Sequence, residues 1–95
     1  MTVVFFLPRA RREQNDAADF YERARPGLGR EFLDDVQRAI DHLARMPEGG
    51  SRVHGRTRRL PLSRFPFWLL YRAYAERIVI AAVAYQRRRP GYWGS

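Results

Sequence analysis

From Leu28 to Leu43 the large apolar residues recur at spacings of four, four, four and three: Leu28, Phe32, Val36, Ile40, Leu43. Only an α-helix brings such positions onto one face, so this stretch predicts a helix over 28–45 with its stripe against a core. Leu33, Ala39 and Ala44 widen that stripe, and Asp34, Asp35, Arg38 and Asp41 are read as its solvated side. Residues 9–24 contain no Gly or Pro and carry a thinner stripe (Ala10, Ala17, Tyr21, Ala24), which predicts a second helix that depends on packing. Pro26-Gly27-Leu28-Gly29 separates the two, and so short a break predicts an antiparallel helical hairpin.

Past Gly50 the period changes from near four to two. Arg56–Leu62, Phe65–Tyr74 and Arg77–Tyr85 read as three strands of a meander, and the run Ile78-Val79-Ile80 marks the last as a central strand. On the middle strand Phe67, Leu69, Tyr71 and Ala73 share one face, and Trp68, Leu70, Arg72 and Tyr74 the other. Residues 2–7 are β-branched and aromatic, and read as a short strand ended by Pro8. The expected fold is α+β in the order β-α-α-β-β-β, a helical hairpin packed on a mostly antiparallel sheet. The 95 residues make a single domain, 1–95, with one modest core. The apolar run at 3–7 is too short for a signal segment or a membrane span, so the expectation is a cytoplasmic protein without membrane contact.

Charge divides along the same boundary as period. All 18 basic residues are arginine. Residues 1–48 hold eight Arg against nine Asp and Glu, a net of −1. Residues 49–95 hold ten Arg against Glu76 alone, a net of +9. Codon usage accounts for the absence of lysine but not for where the charge sits. Uncompensated charge opposes compaction, so this clustering points to a partner that is a nucleic acid, or acidic, or bound to one. Arg52, Arg56, Arg58 and Arg59 lie around the entry to the meander, Arg64 and Arg72 on its central hairpin, and Arg87-Arg88-Arg89 at its exit. With Trp68, Tyr92 and Trp93 these are the side chains that phosphate-and-base or acidic-peptide recognition uses.

The equipment for catalysis is thin. Cysteine and lysine are absent, His42 sits among charged helix positions, and His54 lies in what reads as a Gly- and Arg-rich loop, 51–55. There is no phosphate-binding loop, dinucleotide turn or metal-ligand spacing, so no cofactor and no metal are expected. Arginine stays protonated and cannot serve as a base.

The chain resembles the RelE/ParE superfamily of type II toxin–antitoxin toxins over nearly its whole length. The resemblance is carried by Pro26-Gly27-Leu28-Gly29, Phe32-Leu33, Val36, Ile40, Leu43, Pro47, Arg58-Arg59, Arg64-Phe65-Pro66-Phe67, Tyr71, Arg87-Arg88-Arg89-Pro90 and Trp93. It implies a cognate antitoxin, acidic and partly helical, in a heterotetramer or larger assembly. RelE-like members cut mRNA on the ribosome, and ParE-like members inhibit DNA gyrase. The RelE-like pattern needs lysines that this chain lacks, and Trp68 stands where it has a central arginine. If the chain were a nuclease, Arg56, Arg59, Arg87, His54, Glu48 and Tyr92 would have to carry the chemistry. The resemblance is closest to the ParE-like branch, which implies a gyrase inhibitor without catalytic residues. On that reading Arg59, Arg64, Arg87, Arg88, Arg89 and Trp93 contact the target, and Tyr21, Phe32, Val36, Ile40 and Arg72 contact the antitoxin. A degenerate, non-toxic member is the remaining alternative.

Overall fold

In the computed structural model, which describes residues 2–87, both helical stripes turn onto one face of a single sheet. The elements are β1 (Val3–Phe6), α1 (Pro8–Ala24), α2 (Leu28–Arg45), β2 (Ser51–His54), β3 (Thr57–Pro61), β4 (Phe67–Ala73) and β5 (Arg77–Tyr85). The sheet order is β1-β5-β4-β3-β2. Strands β2 to β5 form an antiparallel meander, and β1 pairs parallel with β5, Val4 opposite Ile78 and Phe6 opposite Ile80. The α+β class and the helical hairpin on a mostly antiparallel sheet are as the sequence implies. The strand count differs. Residues 51–54, read as loop, form a fifth strand at the sheet edge, exposed along its whole length. With one free edge and no buried face it carries no hydrophobic alternation to betray it.

The core lies between hairpin and sheet. Phe32, Val36, Ala39 and Leu43 of α2 and Ala10 and Ala18 of α1 meet Phe67, Leu69 and Tyr71 of β4 and Ile78, Ile80 and Val83 of β5. Phe32 packs edge-on to Phe65 and Phe67, centroids 5.4 and 5.1 Å away, and Tyr21 closes on Phe65 at 4.8 Å. On α1 the stripe runs Ala10, Gln14, Ala18, whereas Ala24 is exposed. The helices approach closely at Gly29, where a Cβ would stand 2.6 Å from the Ala18 carbonyl oxygen. Gly27, at φ 90°, makes the turn between them. Glu22 of α1 then accepts from the N–H groups of Gly27 and Gly29, both 3.1 Å away, so one helix caps the next.

Two carboxylates do work that periodicity does not announce. Asp35 was assigned to the solvated side of α2, yet it is buried. Its Oδ2 accepts from the N–H groups of Arg64 (2.9 Å) and Phe65 (3.1 Å), and its Oδ1 accepts from Arg38 (3.2 Å). It thereby ties the β3–β4 connection to the helix. On β5 the register slips between the pairs Leu70–Ala82 and Tyr71–Ile80, which leaves Ala81 as a bulge. The bulge reverses parity, so Ile78 and Ile80 and then Val83 all enter the core. Beyond Ile80, β1 has ended, and Glu13 of α1 accepts from the Val83 N–H at 2.9 Å in the place of a strand partner.

Tyr71 holds the connection between helices and meander. Its buried hydroxyl donates to the Pro47 carbonyl (2.9 Å) and accepts from the Gly50 N–H (2.8 Å). Burial raises its pKa above the ordinary tyrosine value, opposed by the Gly50 hydrogen bond and the Arg58 charge. Among the described residues no helix is long and apolar enough to cross a membrane.

Candidate functional site

The arginines divide by what holds them. Arg25 and Arg64 pair with Glu31, Arg30 with Asp34 and Arg38 with Asp35, all on or beside the hairpin. On the β2–β3 ribbon, Arg56 and Arg58 are fixed by neutral groups instead. Arg58 donates to the Gly50 carbonyl (2.8 Å) and reaches the Glu48 carbonyl (3.4 Å). Arg56 donates to the Ala73 carbonyl (3.3 Å) and lies over the Tyr74 ring at 4.9 Å, with Arg77 near the same ring at 4.8 Å. Arg52 stands directly opposite Arg58 across the ladder, a like-charge pair that disfavours the bare hairpin. Together Glu48, Arg52, Gly55, Arg56, Arg58 and Ala73 line an open cleft of about 480 Å³ where the sheet extends past the end of α2.

A second group occupies the sheet face turned away from the helices. There Arg59 lies over the Trp68 ring at 4.3 Å, and Arg72 donates to the Thr57 hydroxyl at 3.2 Å. Val3 and Phe5 of β1 are exposed, and alternation along the strand puts them on this same face. Arg87 follows the end of β5, where Gln86 donates its N–H to the Pro66 carbonyl. Arg64 is on the hairpin side of that same sheet end, 2.9 Å from Glu31. The Glu31 carboxyl is held below its ordinary range, first by the Arg64 hydrogen bond and then by the Arg25 and Arg64 charges, against desolvation.

Of the residues assigned to a target, Arg59, Arg64 and Arg87 reach the Pro66 end of the sheet, from different sides. Arg88, Arg89, Tyr92 and Trp93 lie outside the described residues. Among the described residues, the set that nuclease chemistry would need does not converge. Arg56 and Glu48 line the cleft, Arg59 lies on the opposite face, and His54 is exposed on the outer strand. Arg87 follows Tyr85, the register partner of Phe67, while Arg56 bonds Ala73 at the far end of β4. At the rise of an extended strand those ends are about 20 Å apart.

The residues assigned to an antitoxin divide as well. Phe32 and Val36 are 0% and 1% exposed and belong to the core, because the most strongly periodic helix positions are the ones the sheet covers. Arg72 is on the opposite face of the sheet from the hairpin. Tyr21 is half-buried, and with Ala17, Phe20, Pro66, Phe67 and Tyr85 it lines an apolar groove of about 370 Å³. Phe20, 61% exposed, and Tyr85 have no role in the sequence reading. Burial and then the neighbouring Tyr85 raise the Tyr21 hydroxyl above its ordinary value. Ile40 is partly buried at the core margin. Among the described residues no three His, Asp or Glu side chains gather into a possible metal site.

The chain is thus a helical hairpin on a five-stranded sheet, with arginines and aromatic rings at its open surfaces. The sequence matches, over residues 4–90, the family described as "ParE toxin of type II toxin-antitoxin system, parDE", and the chain belongs to that family. Its fold is shared with a solved structure described as the chromosomal ParDE TA system from P. aeruginosa. The TM-score is 0.76 at 19% identity, over 90% of this chain and 96% of that one. No curated relative matches the sequence.

Proposed function

We propose that this chain is a toxin that inhibits DNA gyrase by binding it, and that a cognate antitoxin holds it inactive. The observation that carries this reading is the family match over residues 4–90, set beside a surface whose clustered groups are arginines and aromatic rings. Such groups bind phosphate and carboxylate but take no proton at neutral pH. The target contact draws on Arg59, Trp68, Arg64 and Arg87, together with Arg88, Arg89 and Trp93 from beyond the described residues. Arg64 shares its charge with Glu31, so Arg59 and Arg87 contribute more.

The antitoxin is an acidic, partly helical segment whose apolar side chains enter the groove beside Tyr21 and Phe20, and the assembly is a heterotetramer or larger. Apolar anchors supply most of its affinity and charge most of its association rate. Purified toxin should block supercoiling of relaxed plasmid by gyrase and leave in vitro translation running. The double substitution Arg59→Ala, Trp68→Ala should raise the concentration needed by at least about tenfold, the loss of one interfacial anchor. Arrested translation with gyrase unaffected would overturn the reading. Full growth on expression without antitoxin would mark the chain as non-toxic.

A further inference from the structure

The cleft at the open end of the β2–β3 ribbon is separate from the surface assigned above to gyrase. We propose that it binds the phosphodiester backbone of a nucleic acid, with Arg52 and Arg56 contacting phosphates and Arg58 setting the shape of the site.

Three observations carry this. Three guanidinium groups line one open cleft, and among the described residues none has a carboxylate partner there. Glu48, the acid among the described lining residues, meets Arg58 through its backbone carbonyl. Two of the three are nonetheless held in place: Arg58 by the Gly50 carbonyl and Arg56 by the Ala73 carbonyl and the Tyr74 ring. Neutral acceptors position a guanidinium without neutralising it, so the charge and the remaining N–H donors stay available to an anion.

The third observation is what the cleft lacks. Among the described residues, the uncharged part of its lining is Gly55 and Ala73. An acidic peptide draws most of its affinity from buried apolar anchors, and these two lining residues supply none. Nucleic-acid affinity comes mainly from phosphate neutralisation, which needs no such anchor. Tyr74, 37% exposed between Arg56 and Arg77, adds an aromatic surface at the rim for a base or sugar. The volume, about 480 Å³, is in the range of sites that take nucleotide-sized groups.

The test is fluorescence anisotropy with a labelled 20-base-pair duplex, the whole chain and no gyrase, across 50–200 mM KCl. Its outcome is therefore independent of the toxin's target. Wild-type affinity should fall steeply with salt. The double variant Arg52→Gln, Arg56→Gln loses two phosphate contacts, so the log–log slope should shrink by about 1.8 and affinity at 0.1 M salt should drop on the order of 50-fold. Arg52→Lys, Arg56→Lys keeps the charges and should keep the slope while losing affinity a few-fold. Arg23→Gln, an exposed charge on α1, should change neither. Thermal melts that coincide with wild type show that the variants are folded. Wild-type slope and affinity in the Gln double variant would overturn the proposal. So would displacement of the duplex by a polyglutamate peptide of equal charge, which would make the site a generic acid receptor. Displacement by inorganic phosphate at equal phosphate concentration and matched ionic strength would assign the cleft to the free anion instead.

Discussion

Tyr71→Phe deletes one oxygen from the middle of the protein and should be among its most damaging conservative changes. The hydroxyl bridges the Gly50 N–H at 2.8 Å and the Pro47 carbonyl at 2.9 Å, and the Tyr71 side chain is fully buried. Gly50 is buried too and packed so tightly that a Cβ on it would stand 2.7 Å from that hydroxyl and 2.6 Å from the Arg59 carbonyl. The space left by one oxygen is too small for a water to restore both bonds. A stranded buried N–H costs about 1–3 kcal/mol, and the half-exposed carbonyl adds about 1, so the loss should be about 3 kcal/mol. A chain of this length has roughly 5–14 kcal/mol of stability in all. Urea denaturation followed by far-UV circular dichroism reads this directly. With a slope of about 1.5 kcal/mol per molar the midpoint should fall by about 2 M. Exchange of the Gly50 amide should accelerate more than that of the α2 interior, because the loop is released first. A midpoint within about 0.3 M of wild type would refute the reasoning, since it leaves less than about 0.5 kcal/mol for two lost hydrogen bonds.

Asp35→Ala removes the acceptor of two backbone N–H groups and of Arg38, and should cost about 2–4 kcal/mol by the same denaturation measurement. Gly29→Ala sets a methyl 2.6 Å from the Ala18 carbonyl, so the helices must part. The expected cost is about 1–3 kcal/mol, despite alanine's better helix propensity. The Glu31 carboxyl titrates below its ordinary value of 4.5 in the folded state, so its contribution is complete above that value and is lost as pH falls through the depressed one. Between pH 5 and 3 the denaturation midpoint of wild type should therefore fall further than that of Glu31→Gln, and parallel curves would contradict the Arg64 pairing.

How much of this was legible depended on whether a residue's role follows from its neighbours in sequence or in space. The helix bounds at Leu28–Arg45 and the strand bounds at Arg77–Tyr85 follow from local period, and the structure agrees with both. Asp35 was misread because a charge on a helix usually faces water. Its position three residues after Phe32 and four before Ala39 nevertheless puts it on the inner face. The same rule argued against treating Phe32 and Val36 as contact residues, since a strong stripe is the part a sheet covers. The groove residues Phe20 and Tyr85 sit at the margin of the apolar pattern, where period carries no signal.

The sequence by itself determined the α+β class, the helical hairpin, the family resemblance and the segregation of positive charge into the second half. These are properties of local spacing and of counting. Tertiary structure alone decided that β1 lies parallel beside β5, that a fifth strand closes the meander, and that a bulge at Ala81 changes which side chains of β5 enter the core. It also separated arginines that stand side by side in the chain. Arg58 turns toward the cleft and Arg59 toward Trp68, because successive residues of a strand point to opposite faces. Whether an arginine is spent on a carboxylate or left for a partner is likewise a fact of three-dimensional proximity, and no count of charges along the chain contains it.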